Sequence, residues 1–421
     1  MTRFLIASPN SGAGKTIITL AIMRIFKRTG LKYQPAKSGP DYIDPKFHEM
    51  ASGEPSVNLD AWAMQEPEIK DLAGGGNLIV EGAMGLFDGA GISGLGSSAN
   101  LANILSLPIV LVVDSGKVAH SIAAIVQGFK NFDPSIDLAG VVLNRVASDR
   151  HLNLLTTALS KINIPILGVL FRSKEFELSE RHLGLVQASE NTNLEKWINT
   201  VADALTPSLD LEILSKLGSN IQAEKHVNPS PLGQRIAVAR DIAFEFSYPH
   251  HLKAWRMAGA SISFFSPLSD ETVPDDADFI FLPGGYPELH SGQIASAKSF
   301  KSSIRAHAER QTPIYGECGG YMVLGDTMID ESGASHKMLG LLRLETSFAD
   351  RKLHLGYRQL SSLGPHFKRP LRGHEFHYAR TLSANGFPLF SAKDADDKQL
   401  PDMGLCSGQT FGSFAHIISG I

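Results

Sequence analysis

Short apolar runs without polar alternation recur through residues 3–171, and segments of helical length separate them. The strand candidates are Phe4–Ala7, Tyr33–Lys37, Leu78–Glu81, Ile109–Val113, Gly140–Leu143 and Ile166–Val169. The helical candidates include Lys15–Arg28, His120–Phe132 and Arg150–Lys161. Continuous apolar strands are typical of parallel sheets that helices cover on both faces. The pattern therefore predicts a doubly wound α/β fold with a parallel sheet for this part of the chain.

A second α/β series begins at Arg235. Its strand candidates are Ile236–Ala239, Ser261–Phe265, Phe279–Leu282 and Pro313–Tyr315. Residues 206–234 separate the two series and contain Pro207, Pro229 and Pro231, a composition typical of linkers. A chain of 421 residues is also too long for one ordinary core. We therefore predict two domains, residues 1–205 and 235–421, joined by a linker at 206–234.

Composition narrows the class of protein. The formal net charge is −4, whereas a protein that grips nucleic acid usually carries a basic excess. The two cysteines, Cys318 and Cys406, are too few for a disulfide framework. The apolar run around Leu107–Val113 is too short to span a membrane, and the N-terminal strand lacks the features of a secretory signal. We expect a cytoplasmic protein that binds neither nucleic acid nor membrane.

A glycine-rich turn joins the first strand candidate to the first helix. It reads Ser8-Pro9-Asn10-Ser11-Gly12-Ala13-Gly14-Lys15-Thr16. In a P-loop, backbone N–H groups and the helix N-terminus hold phosphate oxygens, the lysine adds charge, and the hydroxyl after it can bind Mg²⁺. The candidate nucleotide ligands are Ser11, Gly12, Gly14, Lys15 and Thr16. Pro9 stands where the strict pattern has glycine, so an ordinary glycine-rich turn remains the alternative.

Acidic residues follow two further strand candidates. Asp41 and Asp44 come after the second strand, and Glu81 ends the third. Ligands gather at the carboxyl ends of strands in an open α/β sheet, and Mg²⁺ prefers carboxylate and phosphate oxygens. We therefore predict Thr16, Glu81 and Asp41 as metal ligands, with Asp44 as an alternative second carboxylate. Both aspartates could instead cap helices or turns.

Asn144 follows the strand candidate Gly140–Leu143. A carboxamide at this position can offer a donor and an acceptor together to the edge of adenine. An asparagine that merely forms a turn is nearly as good an interpretation.

Cys318 lies in the segment Gly316-Glu317-Cys318-Gly319-Gly320, between a strand and the start of a helix. Small residues on both sides of a tight strand–helix turn are typical of an exposed nucleophile. A helix N-terminus also lowers the pKa of a thiol, so we expect a reactive cysteine.

The nucleophile needs an oxyanion hole and a base. The segment after Phe279–Leu282 contains Gly285, whose N–H group, with that of Gly319, could form the oxyanion hole. His416, His374 and His377 are the candidate bases. In a strand, His374 and His377 would point to opposite faces, so only one of them could join a given site.

These residues together resemble one family, the cobyrinate and hydrogenobyrinate a,c-diamide synthases of corrinoid biosynthesis. The resemblance covers nearly the whole chain. The matching segments are Ser11–Thr16, Gly39–Asp44, Asn58–Asp60, Glu81–Gly89, Leu282–Glu288, Gly316–Gly320 and Gly373–His377. Each segment alone is moderately specific, but the ordered set is very specific.

The resemblance implies a domain like dethiobiotin synthetase followed by a class I glutamine amidotransferase domain. It implies Cys318 as glutaminase nucleophile and His416 as its base. Typical class I glutaminases have a glutamate two residues after this histidine, but Ile418 stands there, so the resemblance implies a dyad. It further implies Tyr42 and Asp44 as substrate contacts, and it allows a homodimer.

The implied partners are ATP with Mg²⁺, L-glutamine and a corrinoid macrocycle, either hydrogenobyrinate or cobyrinate. The segment Asn58–Met64 is closer to the hydrogenobyrinate branch. The resemblance implies that a side-chain carboxylate becomes an acyl phosphate, which ammonia from glutamine converts to an amide, at the a and c acetate groups in turn.

Three alternatives stay open at this point. Cobyric acid synthase is a related amidotransferase, although the segments Gly39–Asp44 and Asn58–Asp60 argue against it. A partition-type regulatory ATPase would share the P-loop but would not need the Cys318 turn. The C-terminal half could also be a non-catalytic binding module.

Overall fold

The computed structural model describes residues 1–176, 180–181, 184–185, 193–219, 226 and 229–420. The chain forms two compact units, Met1–His226 and Val227–Ile421. Among the described residues, no helix has both the length and the apolar character needed to cross a membrane.

The first unit is built from alternating strands and helices. Its strands are β1 Arg3–Ala7, β2 Gln34–Ser38, β3 Val57–Leu59, β4 Leu78–Glu81, β5 Ile109–Asp114, β6 Leu138–Val146, β7 Ile166–Phe171, β8 Glu180–Arg181 and β9 Gly184–Leu185. Its helices are α1 Lys15–Arg28, α2 Asp44–Ser52, α3 Glu66–Ala73, α4 Ser98–Ile104, α5 Ile122–Phe132, α6 Asp149–Ser160, α7 Leu194–Leu205 and α8 Leu211–Lys216.

Seven of these strands form one parallel sheet in the order β3-β2-β4-β1-β5-β6-β7. Strands β1 and β4 are buried along their whole length, which requires cover on both faces of the sheet. The predicted doubly wound fold is thus confirmed. Strand β1 lies at the centre, so the glycine-rich turn that follows it sits at the middle of the sheet's carboxyl edge.

The first unit extends beyond residue 205, where the sequence placed the start of a linker. Helix α8 lies inside the stretch 206–234, and Leu209 and Leu214 are buried in the first core. The N–H group of Arg3 also donates to the carbonyl of Leu217 at 2.8 Å. The apolar side chains of this stretch therefore close the first core. Residues 220–225 and 227–228 of the predicted linker lie outside the described residues.

The second unit contains more strands than helices. Its strands are β10 Arg235–Ala239, β11 Ser261–Phe265, β12 Phe279–Leu282, β13 Ile314–Glu317, β14 Thr327–Ile329, β15 Ser335–Lys337, β16 Arg343–Ser347, β17 His354–Ser362, β18 Leu371–His377, β19 Arg380–Asn385, β20 Phe390–Lys393, β21 Leu405–Ser407, β22 Thr410–Ser413 and β23 His416–Ser419. Its helices are α9 Pro249–Met257, α10 Ser291–Ser296, α11 Lys298–Glu309 and α12 Gly319–Leu324.

The main sheet of this unit has the order β11-β10-β12-β13-β22-β21, with only β21 antiparallel. Alternate residues of β12 enter two different cores: Ile280 and Leu282 pack into one, and Phe279 and Phe281 into the other. The second core also contains Leu360 and Ile417, from the antiparallel sheet β20-β17-β18-β23. This sheet covers one face of the main sheet and carries the C-terminal histidine segment.

Candidate active site

The turn after β1 has the conformation of a phosphate-binding loop. Gly12 and Gly14 have φ values of 80° and 88°, which favour glycine. A Cβ atom on Gly14 would lie 2.0 Å from Nδ2 of Asn144. Helix α1 starts at the next residue, Lys15, so its first N–H groups face the turn. The backbone is thus shaped for an anion at the helix N-terminus.

Asn144, at the end of β6, braces this turn. Its Nδ2 donates to the carbonyl of Ala13 at 2.9 Å, and its Oδ1 accepts from the N–H group of Arg145 at 2.9 Å. The side chain is buried. If Asn144 also contacts adenine, the same carboxamide must bind the base and the loop. The contact with adenine stays a prediction.

Lys15 and Thr16 reach the end of β4. The Lys15 ammonium donates to the carbonyl of Met84 at 2.8 Å, and the Thr16 hydroxyl donates to Oε1 of Glu81 at 2.7 Å. Burial, together with the charge of Lys37, lowers the pKa of Lys15 to about 8. The two side chains and Glu81 therefore converge at the mouth of the phosphate loop.

Glu81 is the centre of a buried polar network. It has no exposed surface, and it bonds Lys37 Nζ at 3.1 Å and His48 Nε2 at 2.6 Å. Burial alone would raise the pKa of Glu81, but Lys37 and His48 outweigh it and hold the pKa below its usual range. Burial alone would lower the pKa of the Lys37 ammonium, but the charges of Asp44 and Glu81 outweigh burial and raise it. Glu81 and Lys37 are therefore ionised at neutral pH, whereas burial and the charge of Asp41 raise the pKa of Asp44 to about 8.

The loop before α2 places the other acids differently. Asp44 is bonded to Lys37 at 2.5 Å and is nearly buried. Asp41 Oδ1 accepts from the N–H groups of Ile43 and Asp44 at 2.7 and 3.1 Å, which is the turn-forming arrangement that the sequence left open. Tyr42 lies between them and is half-buried.

Oxygen ligands suited to Mg²⁺ are present at the loop. The Thr16 hydroxyl and the Glu81 carboxylate are hard oxygen donors 2.7 Å apart, beside the turn shaped for phosphate. These two residues fit a magnesium ion that also contacts a nucleotide. Asp41 would have to keep its backbone bonds while binding the metal.

Cys318 occupies a strained turn between β13 and α12. Its φ and ψ are 46° and −102°, a conformation that a side chain rarely adopts. The turn is held by a bond from Cys318 N to the carbonyl of Ser413 at 2.8 Å, and by one from Gly320 N to the carbonyl of Pro283 at 3.1 Å. A Cβ atom on Gly320 would lie 1.9 Å from the carbonyl oxygen of Leu282. This close approach explains why glycines flank the cysteine.

The loop after β12 contacts both the Cys318 turn and His416. A Cβ atom on Gly284 would lie 2.2 Å from Cε1 of His416, and one on Gly319 would lie 3.1 Å from the nitrogen of Gly285. The loop thus brings together the two predicted oxyanion donors, Gly285 and Gly319, and the predicted base.

The rival histidines lie on β18, next to β23. Burial alternates along β18, with His374 half-buried and His377 buried, as expected for opposite faces. The Nε2–H group of His377 donates to Oε1 of Glu375 at 2.9 Å, and the His377 ring stacks on Phe414 at 3.9 Å. His374 is the register partner of His416 across the two strands. The choice of His416 as base stays a prediction.

Burial governs the protonation of the cysteine site. Burial, together with the nearby His374 and His377, lowers the pKa of His416 to about 3. Burial and the charge of Glu288 raise the pKa of the Cys318 thiol. This differs from the expected lowering by the helix N-terminus, because the N–H group of Gly319 favours the thiolate less than burial opposes it. Thiol and imidazole are both neutral at rest.

Three buried ionisable residues were missed by sequence reasoning: Lys37, His48 and Glu317. Each bonds to a partner far away along the chain or on another strand. The available signal was a titratable side chain inside a segment that otherwise reads as buried, since burying charge without a partner is costly.

Comparisons with known proteins agree with the division of the chain into a nucleotide-loop unit and a cysteine unit. A family model described as CobQ/CobB/MinD/ParA nucleotide binding domain matches residues 4–186. Another, described as CobB/CobQ-like glutamine amidotransferase domain, matches residues 235–420.

Three similar proteins carry the name hydrogenobyrinate a,c-diamide synthase. Hydrogenobyrinate a,c-diamide synthase of Brucella anthropi is 50% identical over 99% of this chain and 98% of its own. The proteins of that name from a Sinorhizobium species and from Rhodobacter capsulatus are 48% and 46% identical, again over 99% of this chain. They cover 99% and 98% of their own lengths.

Proposed function

The chain belongs to the family of hydrogenobyrinate a,c-diamide synthases, and from that membership we propose that it amidates two acetate carboxylates of hydrogenobyrinate. ATP and glutamine are the co-substrates. The observation that carries the proposal is the pairing, in one chain, of two sites: a phosphate loop beside the ionised Glu81, and a strained cysteine turn that contacts the same glycine loop as a buried histidine.

In the first unit, an oxygen of the substrate carboxylate attacks the γ-phosphorus of ATP, and ADP leaves. Lys15 and the N–H groups at the start of α1 bind the phosphate oxygens and stabilise the charge that moves during transfer. Ammonia then attacks the acyl carbon, and inorganic phosphate leaves. The same cycle serves the a and the c acetate group.

Mg²⁺ is the metal we propose for this site, held by Thr16 and Glu81, with Asp41 as a further ligand. When bound, the ion neutralises negative charge on the phosphates. Lys37 and His48 hold Glu81 in its ionised form at the required place. Tyr42 and Asp44, on the loop before α2, remain the proposed contacts to the macrocycle.

In the second unit, Cys318 acts as nucleophile and His416 as base. The thiol proton moves to His416 while sulfur attacks the amide carbon of glutamine, and the N–H groups of Gly285 and Gly319 bind the oxyanion. His416 returns the proton to the leaving ammonia. Water then hydrolyses the glutamyl thioester.

The macrocycle without cobalt is the proposed substrate. The names of the similar proteins support it, as does the segment from Asn58. In the structure, Asn58 Nδ2 donates to the carbonyls of Gly39 and Asp41 at 2.9 and 2.7 Å, and so shapes the loop that carries Tyr42. A residue of this segment thus supports the proposed substrate loop.

One experiment tests the proposal directly. The protein is incubated with MgATP, glutamine and either hydrogenobyrinate or cobyrinate, and the products are weighed by mass spectrometry. We expect the diamide of hydrogenobyrinate, with ammonium chloride able to replace glutamine. Faster amidation of cobyrinate would contradict the choice of macrocycle, and no amide from either would contradict the function.

The proposal extends to location and assembly. The co-substrates ATP and glutamine favour the cytoplasm, and the family resemblance allows a homodimer. Cell fractionation and sedimentation velocity test these two statements.

A further inference from the structure

Residue Glu317 stands directly before the nucleophile and is buried at the end of β13. We propose that Glu317 is the positioning carboxylate of the glutaminase: it orients the imidazole of His416 and stabilises the imidazolium formed during catalysis. It would take the role that a glutamate two residues after the histidine has in typical class I glutaminases, where this chain has Ile418. The inference rests on the proposed roles of Cys318 and His416.

The geometry assigns the two oxygens of Glu317 to different tasks. Oε1 accepts from the Tyr315 hydroxyl and from the N–H group of Ile417, each at 3.0 Å. Oε2 lies 3.8 Å from Nδ1 of His416, and both side chains are 3% exposed. Two bonds thus fix the carboxylate, and one of them comes from the residue directly after the histidine.

This placement decides which imidazole nitrogen serves the thiol. Because Nδ1 faces Glu317, Nε2 is the nitrogen left to accept the proton of Cys318. When that proton arrives, the imidazolium carries N–H groups on both nitrogens, and the one at Nδ1 points at the carboxylate. The proton leaves again from Nε2 to ammonia, so Glu317 itself neither gains nor loses a proton.

Other charged groups near Glu317 and His416 bond to different partners. Glu375 bonds Arg358 at 2.6 Å through Oε2 and His377 at 2.9 Å through Oε1. Burial, with the charge of Glu288, raises the pKa of the Cys318 thiol. Burial, with His374 and His377, lowers the pKa of His416, and the charge of Glu375 opposes that lowering. Of the carboxylates near His416, Glu317 is the one placed at Nδ1.

The role requires the ionised form of Glu317. Burial raises the pKa of this carboxyl to about 8, so the charged form accumulates as pH rises through that value. An imidazolium beside it is stabilised only by that form. The rate of glutamine hydrolysis should therefore rise with pH, reach half of its plateau near pH 8, and level off above that value.

The test compares three variants in the full-length protein. Glu317→Gln keeps an oxygen for Tyr315 and Ile417 but removes the charge. Glu317→Asp keeps the charge on a shorter side chain. Tyr315→Phe is the matched control, since it removes one bond to the same carboxylate and leaves its charge.

For Glu317→Gln we expect kcat/KM of glutaminase to fall roughly 10- to 100-fold and the acid limb of the pH profile to disappear. Synthesis from ammonium chloride should not change. Glu317→Asp should keep the limb with partial activity. Tyr315→Phe should keep the limb but move it to higher pH, because the bond from the Tyr315 hydroxyl no longer favours the ionised carboxylate. If Glu317→Gln does not fold, the pH profile of Glu317→Asp decides alone.

Two results separate the possible failures. A normal rate and an unchanged pH profile in Glu317→Gln would overturn this inference alone. Glutamine hydrolysis that survives in both Cys318→Ser and His416→Ala would instead overturn the proposed site itself.

Discussion

At the scale of residues, buried ionisable groups set the chemistry of both centres. Glu81 is kept ionised by Lys37 and His48, whereas Cys318 and His416 are kept neutral by burial. The first centre is therefore charged before its substrate arrives. The second must separate charge while it reacts, which is why donors to the oxyanion and a carboxylate at the imidazole matter there.

Sequence alone located the residues that act through local shape. The glycines around Lys15 and Cys318 mark turns whose backbone is needed whatever lies elsewhere in the fold. Lys37 and Glu317 could not be assigned in this way. Their partners, such as Glu81 and His416, come from other strands, and strand pairing is not written in a local motif.

Loss of charge at the phosphate loop should slow amidation whether glutamine or ammonia supplies the nitrogen. We expect Lys15→Ala and Glu81→Gln each to reduce ATP-dependent amidation roughly 10²- to 10³-fold with glutamine or ammonia, because each removes transition-state stabilisation. Product mass and released phosphate measure the effect. Lys46→Ala and Glu49→Gln are matched controls, since these residues form a half-exposed ion pair. Near-normal turnover in both loop variants would remove them from the site.

Loss of the nucleophile or base should affect glutamine alone. We expect Cys318→Ser and His416→Ala to abolish glutamine-dependent synthesis while synthesis from ammonium chloride continues, because ammonia bypasses the thioester. Cys406→Ser is the control, since the Cys406 thiol lies in another part of the unit and bonds only the carbonyl of Phe387 in the described contacts. If a folded Cys318→Ser protein loses both activities, the separation of roles is wrong.

At the scale of elements, the hydrophobic pattern predicted most strands of the two parallel arrays, but it missed the parallel strand β3 and the antiparallel strands. Strands β11 and β12 were predicted with the observed bounds. Strand β18 was not predicted, because its buried face carries Gly373, Glu375 and His377. Alternation rules assign polar residues to solvent, so a strand whose buried face is polar reads as a loop. One of these residues, Glu375, is close enough to Cys318 that its charge adds to burial in raising the pKa of the thiol.

Helix α9 holds the strand that carries the proposed base. Nε2 of His250 and Nε2 of His251 donate to the carbonyls of Ile418 and Ile417, both at 2.9 Å. Burial lowers the pKa of His250 to about 4 and that of His251 well below its ordinary value. Both histidines are therefore neutral donors in the folded state.

The second unit should lose stability in mild acid. Unfolded histidines take up protons below pH ~6.5, whereas His250 and His251 resist this in the folded state, so stability falls as pH drops from ~6.5 toward 4. The loss is at most about 1.4 kcal/mol per pH unit for each histidine. Calorimetry of the parent and of His251→Gln should show a weaker pH dependence in the variant. Equal slopes, with exposed His120→Gln as control, would contradict this account.

At the scale of the whole molecule, each unit closes its own hydrophobic core. The core of the first unit draws on residues from Phe4 to Leu217, and those of the second begin at Leu232. The nucleotide loop and the cysteine turn thus belong to different cores, and each site can respond to its own ligand.

Ligands should stabilise the two units separately. We expect thermal unfolding in two transitions. A non-hydrolysable MgATP analogue should raise the midpoint temperature of one transition, and a covalent glutamine analogue at Cys318 should raise that of the other. For the reversible nucleotide analogue, a concentration of 100 times its dissociation constant adds about 2.7 kcal/mol to the stability of the unit that binds it. Differential scanning calorimetry measures both. A single transition that either ligand shifts would mean that the units unfold together.

The contact between Gly14 and Asn144 has a consequence for inheritance. The carbonyl that Asn144 holds is 131 residues earlier in the chain, and Gly14 has no room for a Cβ atom beside that carboxamide. A side chain at position 14 would collide with the Asn144 carboxamide, and loss of that carboxamide would remove the side-chain donor to the Ala13 carbonyl, so substitutions at the two positions should be coupled. A chimera with a crossover inside the first unit should therefore fold best when the turn with Gly14 and the end of β6 with Asn144 come from compatible parent sequences.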